Sequence, residues 1–457
     1  MENKVQRAMP TLKKSQLLMY GFGGMFLNTF YLMFLAYYRL FFLTNVLMLD
    51  TYVAATINSI SVWINVGTMV LAGIIVDSTN LKWGKFRSWV PIGGVMVTIA
   101  FPLMFANLGL STGAAAVMFV VMFAIQSIGY NTLWVAERSL VGPMSRNTAD
   151  ATALATYAQQ GSTIGGFIYG LVGTRILAFW GTGPNSYALT GLTFGLFILA
   201  GTFLIFFMTK KYDLPSEAKP ASAPKAEKVG LGQMLKSIRG PMIPFVVAMI
   251  LNNCHLGFFM TLLNHFTTYV LNDPEVLGLA VTLGSVASFV GAWISKIMCD
   301  RMGKRSAFIW FSLLTGVLYM LIAFIGRTSV PFLILRLCVG ASCVVGGMLI
   351  PAFANDLADY NEMKGTSNAR VFVQALSGTT IRMGTALSTM IASFGLAFVG
   401  FQAGMEPTPQ VVNGITYMMA FGPAIVCVLS ALCFIPYHVD EKELDAYRAE
   451  KAAKMAK

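Results

Sequence analysis

Long apolar runs, broken by short charged turns, set the pattern of this chain. A helix rises 1.5 Å per residue, so about 20 apolar residues cross a bilayer. Runs of that length recur along the whole sequence. They predict helix I at 16–46, II at 51–76, III at 88–107, IV at 114–137, V at 151–175 and VI at 187–209. Helix VII follows at 241–270, VIII at 276–299, IX at 306–326, X at 330–355, XI at 368–400 and XII at 411–437. The stretch from Ser88 to Ala136 holds no charge and is too long for one crossing. The sequence NLGLSTG at 107–113 supplies the turn that divides it. Segment 210–239 is charged and rich in Pro, Ala and Ser, which suits a cytoplasmic connector between two groups of six helices. The expected organisation is therefore an N-terminal six-helix bundle (1–209), the connector (210–239), a C-terminal bundle (240–437) and a charged cytoplasmic tail (438–457).

Composition narrows the class. Of 457 residues, 56% are hydrophobic and 11% charged, where a soluble domain carries about 25% charged residues. Too few charges remain to coat soluble surfaces, which excludes a soluble enzyme, a nucleic-acid-binding protein and a disordered chain. The fold class is an all-α membrane protein. The net charge of +12 reads as loops retained on the cytoplasmic side rather than as a polyanion site. With both termini inside, every one of the 32 basic residues except Arg39, Arg175, Arg327, Arg336 and Arg382 falls on the cytoplasmic side or at an inner helix end. That places the chain in the inner, cytoplasmic membrane with lipid as its main neighbour. No cleaved signal is expected at the basic N-terminus. The six cysteines lie in the second half without CxxC spacing, so neither a disulfide framework nor a zinc site is expected.

An internal repeat adds topology. Asp77 ends helix II and is followed by Trp83-Gly84-Lys85-Phe86-Arg87. Asp300 ends helix VIII and is followed by Arg301-Met302-Gly303-Lys304-Arg305. Two similar six-helix halves are the mark of a transporter with its site at the repeat interface.

Four segments then carry a family resemblance. They are Tyr20-Gly21-Phe22-Gly23; Asp77 with Trp83-Gly84-Lys85-Phe86-Arg87-Ser88-Trp89; Ser139-Leu140-Val141; and Asp356 with Asp359-Tyr360-Asn361-Glu362. On these the chain resembles the glycoside–pentoside–hexuronide:cation symporter family of the major facilitator superfamily. The resemblance implies two pseudo-symmetric six-helix bundles, alternating access and a central pocket for a sugar or sugar acid. It also implies coupling through carboxylates on helices II and IV, with a sugar-binding Asp on helix I. This chain departs from that pattern. Asn28 stands at the helix I acid, Asn65 and Met69 at the helix II acids, Trp134 at the helix IV acid and Gln159 at a helix V arginine; Arg382 keeps the basic residue of helix XI.

The candidate residues follow from depth and chemistry. Arg382 lies about 18 Å into helix XI by the helical rise, so it either meets an anionic solute or bonds helix carbonyls. The first is the expectation, with a lean toward carboxylate or sulfonate. Asn28, Tyr31, Asn131, Trp134, Gln159 and His255 complete the expected substrate set, since amides bond hydroxyls and an aromatic face stacks on a sugar ring. His255 is either a proton carrier or a neutral hydrogen-bonding group. Asn65 and Asn131 offer only neutral oxygens for a cation, and none of the twenty acidic residues is expected near the bilayer midplane, so the usual cation site looks lost. Asp77, Arg87, Glu137, Arg138, Asp356 and Asp359 mark inner helix ends and are expected to latch the cytoplasmic side.

These readings predict a monomeric secondary transporter or facilitator for a sugar, glycoside or sugar-acid-like solute. It needs no cofactor; sodium or a proton is the coupling ion if there is one. The alternatives are a lipid or lysolipid translocator of the same fold, and a proton-coupled organic anion transporter using His255. No HExxH, GxSxG or Walker pattern supports an enzyme or an ATP-driven pump.

Overall fold

A computed structural model describes residues 12–213 and 240–439, apart from 146–147, 182, 184, 365–368 and 405, together with 443–444 and 446–447. Most of the connector and most of the tail lie outside the described residues.

Twelve long helices are described. The first six are α1 Lys14–Val46, α2 Thr51–Ser78, α3 Trp89–Met104, α4 Thr112–Ser139, α5 Thr148–Phe179 and α6 Ser186–Met208. Then come α7 Met242–Tyr269, α8 Val276–Met302, α9 Lys304–Ile325, α10 Ser329–Met363, α11 Ala369–Phe398 and α12 Pro409–Phe434. Each coincides with one expected span. Eleven segments are long and apolar enough to cross a bilayer. The exception is α3, whose 16 residues reach about 24 Å. Pro102 lies in its last turn, and the chain leaves the helix at Phe105, whose N–H bonds the Pro102 carbonyl at 3.1 Å.

Local chemistry sets the breaks. The Asp50 carboxylate accepts from the N–H groups of Tyr52 and Val53 and so caps α2. Gly303, at φ +78°, allows the turn between α8 and α9. Large apolar side chains such as Val70, Val117, Phe207, Phe289 and Phe324 stay exposed on the helices. That is the reverse of a soluble surface and matches a multi-pass membrane protein.

The chain forms two compact units. Unit 1 comprises residues 1–222 with 274–285 and 396–407; unit 2 comprises 223–273, 286–395 and 408–457. In unit 1, α3 packs on α4 and α6, and α1 packs on α5 and α6. Glycines bring these backbones together: a Cβ added at Gly161 would lie 2.1 Å from the Gly21 carbonyl oxygen, and one at Gly201 2.1 Å from that of Gly23. Gly21–Phe26 of α1 is wound as a π segment there. Phe30, Phe34, Phe101, Phe105 and Phe194 fill the middle with edge-on ring contacts. In unit 2, α7 and α9 pack on α12 around Phe245, Phe308, Phe353 and Phe434.

Two boundaries differ most from the expectation: α10 continues eight residues past 355 to Met363, so Asp356 and Asp359 lie within it, and the start of the connector is ordered. Residues 210–213, read as the start of the connector, belong to the ordered end of α6. A 3-10 turn spans Thr209–Lys211. Asp213 then folds back so that its carboxylate accepts from the N–H groups of Phe86 and Arg87 at 2.7 and 2.6 Å.

Candidate functional site

In unit 1 a polar seam runs between α1 and α4. Tyr20, Gly24, Asn28 and Tyr31 recur at helical spacing on α1, and Gln126, Tyr130 and Glu137 do so on α4. The helices run in opposite directions, so the two sets meet in reverse order. The Tyr31 hydroxyl donates to the Gln126 side-chain oxygen. Its ring packs on Tyr130 with centroids 4.9 Å apart. Further along, Asn28 Nδ2 donates to Glu137 Oε2 at 3.2 Å, and the Tyr20 hydroxyl donates to the Glu137 main-chain carbonyl at 2.9 Å. Glu137 is completely buried and Asn28 is 2% exposed. Glu137 Oε1 and Asn28 Oδ1 have no hydrogen-bond partner.

Glu137 was expected among the latch residues at inner helix ends. It does stand two residues from the end of α4. Its carboxylate, however, meets Asn28, which lies about 21 Å along α1 and near the middle of that 33-residue helix. A carboxylate therefore reaches a depth where none was expected. Sequence spacing alone hid this, because Glu137 is near the end of its own helix but not of its neighbour.

Beside the seam, α2 and α4 are bridged by neutral groups. Asn131 Nδ2 donates to Asn65 Oδ1 at 3.0 Å and to Thr68 Oγ1 at 2.9 Å, and Ser127 Oγ donates to the same Asn65 oxygen at 3.0 Å. Asn65 and Asn131 are thus brought together, and Asn65 Oδ1 accepts two hydrogen bonds. Asn131 Oδ1 remains without a partner. Gln126, Ser127 and Thr68 were missed; the signal was their polarity at the spacing of Asn131 on α4 and Asn65 on α2. Trp134 is half-buried, with the Arg138 guanidinium 4.5 Å above its ring. Gln159 is exposed on α5.

In unit 2, His255 is buried, and its Nδ1 meets the Asn252 carbonyl. Its Nε2 has no hydrogen-bond partner. Tyr319 lies 6.0 Å away, centroid to centroid. Arg336 stands within electrostatic reach of the imidazole and 4.3 Å over the Phe259 ring. Arg382 is half-buried on α11, about 20 Å from Ala369 by the helical rise.

The charged residues at the inner helix ends make local contacts. Asp77 bonds Lys85 at 2.7 Å within its own loop and is largely exposed. The Arg87 guanidinium instead bonds the Phe206 carbonyl at 2.6 Å and lies 3.8 Å over the Phe206 ring. Asp356 pairs with Lys304 at 2.5 Å, and Asp359 is buried. Lys304 and Asp356 line a cavity of about 560 Å³ with Arg305, Lys364 and Tyr437. It lies at the α8–α9 turn, away from the mid-helix polar groups.

The family model described as "MFS/sugar transport protein" matches residues 19–441. The chain is 26% identical over 422 residues to "Uncharacterized symporter YjmB" of Bacillus subtilis (strain 168), covering 90% of this chain and 89% of that protein. It is 25% identical over 417 residues to "Putative 2,3-dihydroxypropane-1-sulfonate exporter" of Escherichia coli (strain K12), covering 89% and 88%. Among solved structures, the nucleoside transporter NupG superposes with a TM-score of 0.65 at 15% identity, covering 93% of this chain and 98% of that one, a likeness of fold alone.

Proposed function

The chain belongs to the MFS/sugar transport protein family, and from that membership we propose that it carries a polyhydroxylated solute with an anionic group, a sulfonate or carboxylate, across the cytoplasmic membrane. Transport is by alternating access, with both termini cytoplasmic. Arg382 is the observation that carries this reading. It is a cation within the apolar span Leu376–Phe398, where charged side chains characteristically face the bundle interior or a solute path. Its planar fork suits the oxygens of a sulfonate or carboxylate. The relative described as a dihydroxypropanesulfonate exporter supports the same solute class.

Uptake into proteoliposomes tests it, with 2,3-dihydroxypropane-1-sulfonate, uronates and neutral glycosides offered in parallel. Arg382→Gln removes a charged donor worth about 1.5–3 kcal/mol per hydrogen bond, so sulfonate affinity should fall roughly 10- to 150-fold. Arg382→Lys should recover part of it. Unchanged affinity in Arg382→Gln sinks the assignment.

A further inference from the structure

We propose that Glu137 and Asn28 form a proton-binding site inside unit 1, and that this site couples transport to protons. The coupling role rests on the transporter reading; proton binding itself does not depend on which solute is carried.

The geometry leaves one gap of one kind. Glu137 is fully enclosed, and its carboxylate receives one neutral hydrogen bond, from Asn28 Nδ2 to Oε2. A bare charge so buried, with no ion pair, is heavily penalised. The other oxygen of each group, Glu137 Oε1 and Asn28 Oδ1, has no partner. Both are acceptors, so neither can satisfy the other. A proton on Oε1 turns that oxygen into a donor to Asn28 Oδ1 and completes a reciprocal acid–amide pair. One proton removes both orphaned acceptors and the charge together. A sodium ion needs a shell of several oxygens, and the pair leaves only Glu137 Oε1 and Asn28 Oδ1 without a partner.

The surroundings hold the pair in place. The Tyr20 hydroxyl is spent on the Glu137 main-chain carbonyl. On the α1 side Gly24 leaves room for the carboxylate: a Cβ there would lie 3.5 Å from Glu137 Oε2 and 2.8 Å from Ile205 Cδ1 of α6. The charged or titratable groups interacting with Glu137 are Arg138 on its own helix and Tyr20 on α1. Arg138 is exposed and stacks on Trp134, so it does not close an ion pair with the carboxylate.

Infrared difference spectroscopy of the full chain in proteoliposomes, titrated with acid and base, reads the site without any solute. Expected is a protonated-carboxyl C=O band in the wild type that disappears in Glu137→Gln. In Asn28→Ala the band should persist but move to higher frequency, because the Nδ2 donor to its carbonyl is gone. Should Glu137→Gln fail to fold, the Asn28→Ala shift decides alone. An identical band in wild type and Glu137→Gln overturns the proposal, as does an unshifted band in Asn28→Ala. A sodium titration at constant pH that erases the band also overturns it, by making the site a sodium site. If the band behaves as stated while no sulfonate is taken up, the proton site is supported and the solute assignment alone fails.

Discussion

Replacing Asp213 with alanine removes the group that fastens the turn at 83–87 to the end of α6. Its Oδ2 accepts from the Phe86 and Arg87 N–H groups at 2.7 and 2.6 Å, and Asp213 is 7% exposed. The turn is built around this contact. Gly84 has φ +123°, and a Cβ there would lie 2.4 Å from the Asp213 carbonyl oxygen. Two charge-assisted hydrogen bonds at about 1.5–3 kcal/mol each give about 3–6 kcal/mol for their loss. The Arg87 side chain keeps its bond to the Phe206 carbonyl, so the lower end, near 3 kcal/mol, is expected. Asp213→Asn keeps an acceptor but not its charge, which should cost about 2 kcal/mol. Trypsin reads this directly, because Lys85 and Arg87 lie in the turn. A local opening energy lowered by about 3 kcal/mol raises cleavage roughly 100-fold when opening is fast. Asp77→Ala is the control. Its pair with Lys85 is exposed, with side-chain accessibilities of 34% for Lys85 and 84% for Asp77, so less than about 1 kcal/mol is expected. Cleavage of Asp213→Ala within twofold of wild type, or equal effects of the two variants, would refute the assignment of Asp213 as the fastening acid.

The remaining predictions test packing and coupling. Gly201→Ala puts a Cβ 2.1 Å from the Gly23 carbonyl oxygen where two helix backbones meet, and should lower stability by several kcal/mol, read as a fall in the melting temperature of the detergent-solubilised protein. Gly67→Ala, with nothing within 4 Å of its Cβ, should be neutral or stabilise by up to about 1 kcal/mol in the same melt. His255→Gln should leave the pH dependence of uptake intact, because the coupling proton is assigned to Glu137; loss of that dependence would move the assignment to α7.

The span pattern was legible because bilayer crossing leaves so strong a mark: each predicted run overlaps one of the helices α1 to α12, and the ends differ by a few residues except at α10, which runs eight residues further than expected. The exception in kind is α3, where an apolar run continued past the point at which Pro102 and the Phe105 turn end the helix. Side-chain partners were less legible. The matched positions of Asp77 and Asp300 drew attention to Asp77, which reaches the Lys85 side chain of the basic turn, yet the backbone of that turn is held by Asp213, more than a hundred residues away. The connector's composition gave no sign of this, since an ordered carboxylate and a solvated one read alike in sequence.

Depth was the subtler difficulty. Counting residues along one helix assigns a side chain the depth of its own Cα, but a long side chain near a helix end can meet a neighbouring helix at its middle. Glu137 does so at Asn28. The positions expected to hold the helix II and helix IV acids, Asn65 and Trp134, carry no charge, and Asn65 is tied to Asn131 and Ser127 in a neutral network. Glu137, an enclosed acid, stands three residues beyond Trp134. Trp134 in turn packs under Arg138, which holds the nearest cation away from that acid. An unpaired carboxylate is what proton exchange requires, because an ion-paired one would have no need of the proton. Bringing a cation to it should therefore abolish the exchange. Asn28→Lys places an ammonium where the amide now donates, and the protonated-carboxyl band should vanish at every pH at which the protein is folded. Its persistence would mean that the enclosed acid takes its proton for some reason other than the lack of a partner.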